Sequence, residues 1–262
     1  MHQPSGKTVT LLKLAESLIV RSQQGLSQPL PIVVNLSSWA KQRKSLAEWL
    51  VQELYEIYGA SKSLGKAWVD QEQLLLLLDG LDEVDARYRN DCVKVLNQFI
   101  QGHGLTEMVV CSRIQDYEAL SERLKLRNAI YVQPLTSQQI EQFLKRAGES
   151  LSALQTVLHH NAELRALASS PLMLSIMGLA YQGCSTDKIF PGETIQDYRQ
   201  NLFDTYLDRM FEGARVAAYT QKIKASEQRY PRRKAQHWLT WMAQRMMQTS
   251  QTVFLIERIQ PI

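Results

Sequence analysis

Residues Leu74-Leu75-Leu76-Leu77-Leu78-Asp79-Gly80-Leu81-Asp82-Glu83 join an unbroken apolar run to three closely spaced carboxylates. Carboxylates in that arrangement divide naturally into two tasks. One holds a hydrated divalent cation, and another orients or deprotonates an attacking water, which is the chemistry of phosphoryl transfer from a Mg-nucleotide. The amino terminus offers the complementary half. Pro4-Ser5-Gly6-Lys7-Thr8 matches the second part of the phosphate-binding pattern G-x-x-x-x-G-K-[ST], whose first glycine would fall on Met1. In such loops successive backbone N–H groups cradle phosphates, the Lys ammonium reaches the β- and γ-phosphates, and the Thr hydroxyl binds Mg²⁺. Gly-Lys-Thr is a short signal by itself; the acidic stretch downstream is what makes it half of a site. A third candidate is Arg113, directly after the apolar run Met108-Val109-Val110-Cys111 and Ser112. An arginine at the carboxyl edge of a central strand faces the same crevice as Asp79 and can sense a terminal phosphate.

These groups need a scaffold. Five leucines bounded by polar residues predict a strand buried on both faces, as in a parallel sheet covered by helices, with Asp79 where the strand emerges. Thr10 to Val20 carries apolar residues at helical spacing, so a helix should follow the loop and offer its positive amino-terminal end to phosphate. Further short strands are expected at Ile32–Leu36, Met108–Cys111 and Ala129–Val132. Ser45 and Glu48 mark the start of a helix that Gly59 ends, and Trp49 lies on its apolar stripe, which reads as core rather than as a ligand-stacking aromatic. Ala60 to Asp70 reads as a polar surface connection, and Val84 to Ile100 as another helix.

The chain has 262 residues, 45% hydrophobic and 21% charged, the composition of an ordinary globular protein. A net charge of +4 and a pI near 8.9 suit an anionic ligand without requiring nucleic acid. Three scattered cysteines without a paired spacing predict neither a disulfide framework nor a zinc site. Cys111 reads as a small core residue, with no histidine near it in sequence to activate a nucleophile. No apolar run reaches the roughly 18 residues a membrane helix needs, and no signal peptide is evident, so the expected compartment is the cytoplasm.

After Thr136 the pattern turns helical. Thr136 and Gln139 form a capping box with Leu135 and Ile140 as its hydrophobic staple, a boundary between an α/β part and an all-helical part. Ser170 and Pro171 open a later helix as N-cap and first helical residue. The basic run Arg229–Lys234 precedes Trp238 and Trp241 at helical spacing and reads as a solvated helix start. Residues 1–135, 136–225 and 226–262 are therefore expected to form an α/β domain, a helical domain and the beginning of a further region. Both ends look cut. No residues precede the loop to build the strand that normally delivers a chain into it. Either the start is miscalled, or the copy is truncated, or a central strand is missing.

Taken together, Pro4–Thr8, Leu74–Glu83 with its Asp-Gly-Leu-Asp-Glu ending, Cys111-Ser112-Arg113 and Ser170-Pro171-Leu172 resemble a NACHT domain, of the STAND class of P-loop NTPases. Phe254-Leu255-Ile256-Glu257 and the later helices are similar to bacterial, cyanobacterial-like members. The resemblance implies a nucleotide-driven switch, closed with ADP and oligomeric with ATP, and slow Mg-dependent hydrolysis. It implies that Pro4, Ser5, Gly6, Lys7, Thr8 and Val9 bind the nucleotide, that Thr8 and Asp79 hold Mg²⁺, and that Asp82 or Glu83 acts on water. Arg113 would sense the γ-phosphate, and Pro171 would touch the nucleotide from the helical domain. The implied partners are an adenine nucleotide, other copies of the protein and further domains. The alternatives are an inactive remnant or interaction fragment and, behind it, a nucleic-acid-dependent ATPase using Arg229–Lys234.

Overall fold

The computed structural model describes residues 6–24, 29–189, 194–220 and 231–248. By contact the chain divides into two compact units, one built on Lys7–Tyr131 and one on Val132–Leu239 that also takes in Gly6.

The first unit is a three-stranded, all-parallel sheet flanked by helices. Strand β1 (Leu30–Asn35) pairs with β2 (Leu74–Asp79) from Leu30↔Leu74 to Asn35↔Asp79, and β2 pairs on its other side with β3 (Met108–Val110). The leucine run is thus the central strand, and its uninterrupted apolarity has a direct cause. Leu74, Leu76 and Leu78 enter the main core with Trp49 and Leu96, while Leu75 and Leu77 meet Leu11 and Ala15 of helix α1 (Lys7–Gln24) on the opposite face. The free edge of β1 is covered: Tyr58 Oη donates to Val33 O at 2.8 Å and accepts from Val33 N at 2.9 Å. A phenol therefore occupies the ladder positions another strand would take.

Helix α2 (Trp39–Gln42) is a single turn, and α3 (Leu46–Tyr58) begins and ends as expected. Ser45 Oγ accepts from Glu48 N, and Gly59 closes the helix at φ 68°. Trp49 is fully buried and gives its indole N–H to Ser38 Oγ at 3.0 Å, a core role. The expected polar connection at Ala60–Asp70 is instead a helix, α4 (Lys62–Asp70), capped by Ser61. It buries Gly65 and Val69, with Trp68 partly buried against the same core, and Gly65 lets it approach Leu54 of α3, so its inward face is short and sparsely marked in the sequence. Helix α5 (Arg89–Gly102) starts later than Val84, because Val84 is extended and the Asp85 carboxylate accepts Arg87 N–H in a turn. After β3 and α6 (Ile114–Glu118), Ala129–Val132 forms no strand; Ile130 is 92% exposed. The segment has the residue types of a strand, but no described backbone lies in ladder with it.

The second unit is helical: α7 (Ser137–Ala147), α8 (Ser152–His160), α9 (Ala162–Ala168), α10 (Pro171–Tyr181) and α11 (Ile195–Thr220). The Thr136–Gln139 capping box is present in both directions, and Leu135 packs on the core that contains Ile140. Met173 and Met177 are buried core residues. A last helix, α12 (Arg232–Gln248), opens with exposed Arg232, Arg233 and Lys234. The apolar run Val253–Ile256 and the basic residues before Pro231 lie outside the described residues. No single helix among those described is long and apolar enough to cross a membrane.

Candidate functional site

The carboxyl ends of β1, β2 and β3 and the start of α1 bring the chemistry together inside the first unit. Asp79 is the last residue of β2. Its Oδ1 accepts the Gly80 N–H at 3.0 Å, and its Oδ2 accepts the Thr8 hydroxyl at 2.7 Å. Residues far apart in sequence thus place a hydroxyl and a carboxylate side by side, both hard oxygen donors. Thr8 belongs to the first turn of α1, an 18-residue helix with no acidic residue of its own in that turn, so its positive end meets only the carboxylates that the sheet brings to it.

Gly80 adopts φ 75°, a left-handed turn that throws Leu81–Glu83 into a short 3₁₀ turn. Leu81 is buried and ties the turn to β3, its N–H donating to Cys111 O at 3.0 Å. The two acids that follow have separate surroundings. The Asp82 side chain is only 6% exposed. Its Oδ1 accepts the Arg113 backbone N–H at 2.9 Å, its Oδ2 meets Arg113 Nε at 3.0 Å, and Lys7 Nζ stands 3.9 Å from Oδ1. A carboxylate this well buried is tolerated only with cations beside it. Glu83 is half-buried, and its Oε2 accepts one hydrogen bond, from Asn35 Nδ2 at 2.8 Å.

Of the residues singled out from sequence, Lys7, Thr8, Asp79, Asp82, Glu83 and Arg113 therefore converge. Val9 is 63% exposed. Pro4 and Ser5 lie outside the described residues. Pro171 is the first residue of α10 in the helical unit; in that same unit a Cβ added to Gly6, which has φ 74°, would lie 3.7 Å from Pro171 Cγ. The surroundings of Cys111 disfavour a thiolate. Burial, then the nearby Asp79 carboxylate, pushes its thiol up to about 11 against the opposing pull of Lys7.

Two further residues shape the site. Asn35 ends β1 in register with Asp79. Arg89 reaches back from α5, with Nη2 donating to Asp82 O at 2.6 Å, Nε donating to Val84 O at 3.3 Å, and Nη1 paired with Asp116 at 3.0 Å. Asn35 carried a usable signal, a polar residue closing an apolar strand. Arg89 carried none, because its role is set by where the loop before α5 turns.

The NACHT domain profile matches residues 3–150, more than half of the chain. The chain belongs to the NACHT family. The matched span contains the whole convergent cluster and the entire parallel sheet. Comparison with curated proteins and with solved structures returned no match. Membership makes the first unit a nucleotide-binding NTPase module. The donor set of this NACHT domain fits Mg²⁺: one carboxylate and one hydroxyl suit a small, hard cation that keeps several waters and takes its other ligands from phosphate. Among the described residues no group of three or more His, Cys, Asp or Glu forms a protein-only cage.

Proposed function

We propose that this NACHT module binds an adenine nucleotide with Mg²⁺ at the carboxyl edge of its sheet and hydrolyses ATP slowly. The observation carrying this reading is the 2.7 Å bond between Thr8 and Asp79, which joins the phosphate-loop half to the acidic half. Thr8 and Asp79 would hold Mg²⁺, which when bound supplies charge neutralisation for the phosphates. Lys7 carries the mobile positive charge of the loop and meets the β- and γ-phosphates, supported by the α1 dipole. The sequence left two acids as candidates for acting on water, and the geometry favours Glu83. Asp82 has both oxygens engaged by Arg113 and Lys7 beside it, whereas Glu83 has a single hydrogen bond to the described residues. Glu83 orients the attacking water and takes its proton as the new bond to γ-phosphorus forms and the bridging oxygen leaves with ADP. Arg113 keeps its Nε on Asp82 and senses the γ-phosphate with the exposed end of its guanidinium. The nucleotide state governs association with further copies.

Nucleotide binding by the 262-residue chain, measured by calorimetry with ATP and ADP in the presence and absence of Mg²⁺, tests this. Lys7→Ala should weaken binding at least about tenfold, the loss of a charge-assisted contact. Asp79→Asn should remove the Mg²⁺ dependence and leave metal-free binding nearly unchanged. Equal, negligible binding by the unaltered chain and by Lys7→Ala would refute the reading.

A further inference from the structure

We infer that Asn35 is a positioning residue for Glu83, holding its carboxylate through the side-chain amide of a neighbouring strand. For turnover the inference rests on the reading of Glu83 given above; for the contact it stands alone.

The direction of the amide is fixed. Asn35 Oδ1 accepts the Ser37 backbone N–H at 2.8 Å, as the cap of the 3₁₀ turn that follows β1. The oxygen must face that donor, so the NH₂ group must face Glu83, whose Oε2 it meets at 2.8 Å. The anchor is firm. Ser38 Oγ lies 3.2 Å from Asn35 O and 2.7 Å from Oε1 of the buried Glu53, and it accepts the Trp49 indole N–H.

The acidic turn is shaped around this bond. A Cβ added to Gly80 would lie 2.6 Å from Glu83 Oε2 and 2.9 Å from Asn35 Nδ2. The glycine of Asp-Gly-Leu-Asp-Glu thus serves two needs, the left-handed turn and the passage of the hydrogen bond over its Cα. The donor is also chemically apt. A neutral amide restricts the carboxylate without bringing a counter-charge, and it occupies one oxygen only. Asp82, by contrast, is held at both oxygens by a cationic residue.

Asn35→Asp is the informative variant, because Asp caps a turn as well as Asn does but turns an acceptor, not a donor, toward Glu83. ATP turnover by N35D should fall about 10- to 100-fold with nucleotide Kd changed less than about threefold, the pattern of a lost orienting contact. A stability cycle in the nucleotide-free chain reads the contact without activity. N35D and E83Q should each lower the urea midpoint. The double variant should recover toward the unaltered chain, since the new Gln amide can donate to the new carboxylate. Additive losses in the double variant overturn the contact. Undiminished turnover by N35D overturns the positioning role. Undiminished turnover by E83Q removes Glu83 from the chemistry, and the stability cycle then still decides whether Asn35 holds it.

Discussion

Gly80→Ala offers a test whose magnitude follows from two glycines with the same backbone and different surroundings. Gly80 has φ 75° with Glu83 and Asn35 pressed against it; Gly59 has φ 68° with nothing within 4 Å of an added Cβ. Alanine in the left-handed region costs about 1–2 kcal/mol at either site. Part of that is offset by the smaller entropy of the unfolded chain, ~0.4–1 kcal/mol. Gly59→Ala should therefore cost about 1 kcal/mol. At Gly80 the methyl meets the far end of the Glu83 side chain at 2.6 Å, and that side chain can swing away. The added cost is then not a rigid clash but the hydrogen bond from Asn35, worth about 1.5–3 kcal/mol for a charged acceptor and toward the lower figure in this half-buried position. Gly80→Ala should accordingly cost about 2 kcal/mol more than Gly59→Ala. With a slope near 2 kcal/mol per molar urea, the midpoints should differ by about 1 M. Urea unfolding followed by tryptophan fluorescence suits the purpose, since Trp39 and Trp49 are buried in this unit. In an Asn35→Ala background the excess at Gly80 should largely vanish. Equal midpoints for the two alanine variants would refute the claim that Gly80 makes way for the Asn35–Glu83 bond.

Other consequences can be checked separately. Burial pushes the Cys92 thiol up to about 12, and burial with Asp79 pushes Cys111 up to about 11. At pH 8 roughly one Cys111 in a thousand is thiolate, so iodoacetamide should leave both residues unmodified until the chain is unfolded; peptide mapping that finds Cys111 alkylated at the rate of a free thiol contradicts this. Tyr58→Phe removes both bonds to Val33 and should cost about 1–2 kcal/mol in urea while exposing a strand edge, seen as increased light scattering on standing. Arg89→Lys cannot reproduce the forked contacts to Asp82 O, Val84 O and Asp116, and should lower stability by about 2 kcal/mol or more in the same assay.

The strands and the acidic site were legible because period and position declared them. The leucine run shows no alternation, which only a strand buried on both faces permits, and its first polar residue is Asp79 at the carboxyl end. Helix ends were legible where a side chain caps them, as at Ser45 and Thr136. Three features were hidden, each for a physical reason. Helix α4 is only nine residues long and packs through Gly65, Val69 and the partly buried Trp68, too short a stretch to show a sustained period. Ala129–Val132 has strand composition, but a strand exists only when another backbone pairs with it, and pairing is not a property of the segment. The different surroundings of Asp82 and Glu83 were also invisible, because they depend on which partners the fold brings to each: Arg113 and Lys7 to one, Asn35 to the other.

That difference bears on how the loss of Lys7 must be read. Asp82 is buried enough that an unpaired charge there would cost several kcal/mol, so its cations belong to the fold as well as to the chemistry. The two cations contribute unequally. Arg113 makes a backbone hydrogen bond at 2.9 Å and an ion pair through its guanidinium at 3.0 Å, whereas Lys7 at 3.9 Å is a neighbouring charge without a hydrogen bond. Removing Lys7 leaves Asp82 still satisfied, so the folding cost should stay small, and weakened nucleotide binding by Lys7→Ala reports on phosphate contact. Removing Arg113 takes away the principal partner of Asp82, and any change in binding there mixes sensing with a damaged turn. The lysine, and not the arginine, is therefore the residue through which nucleotide recognition can be separated from stability.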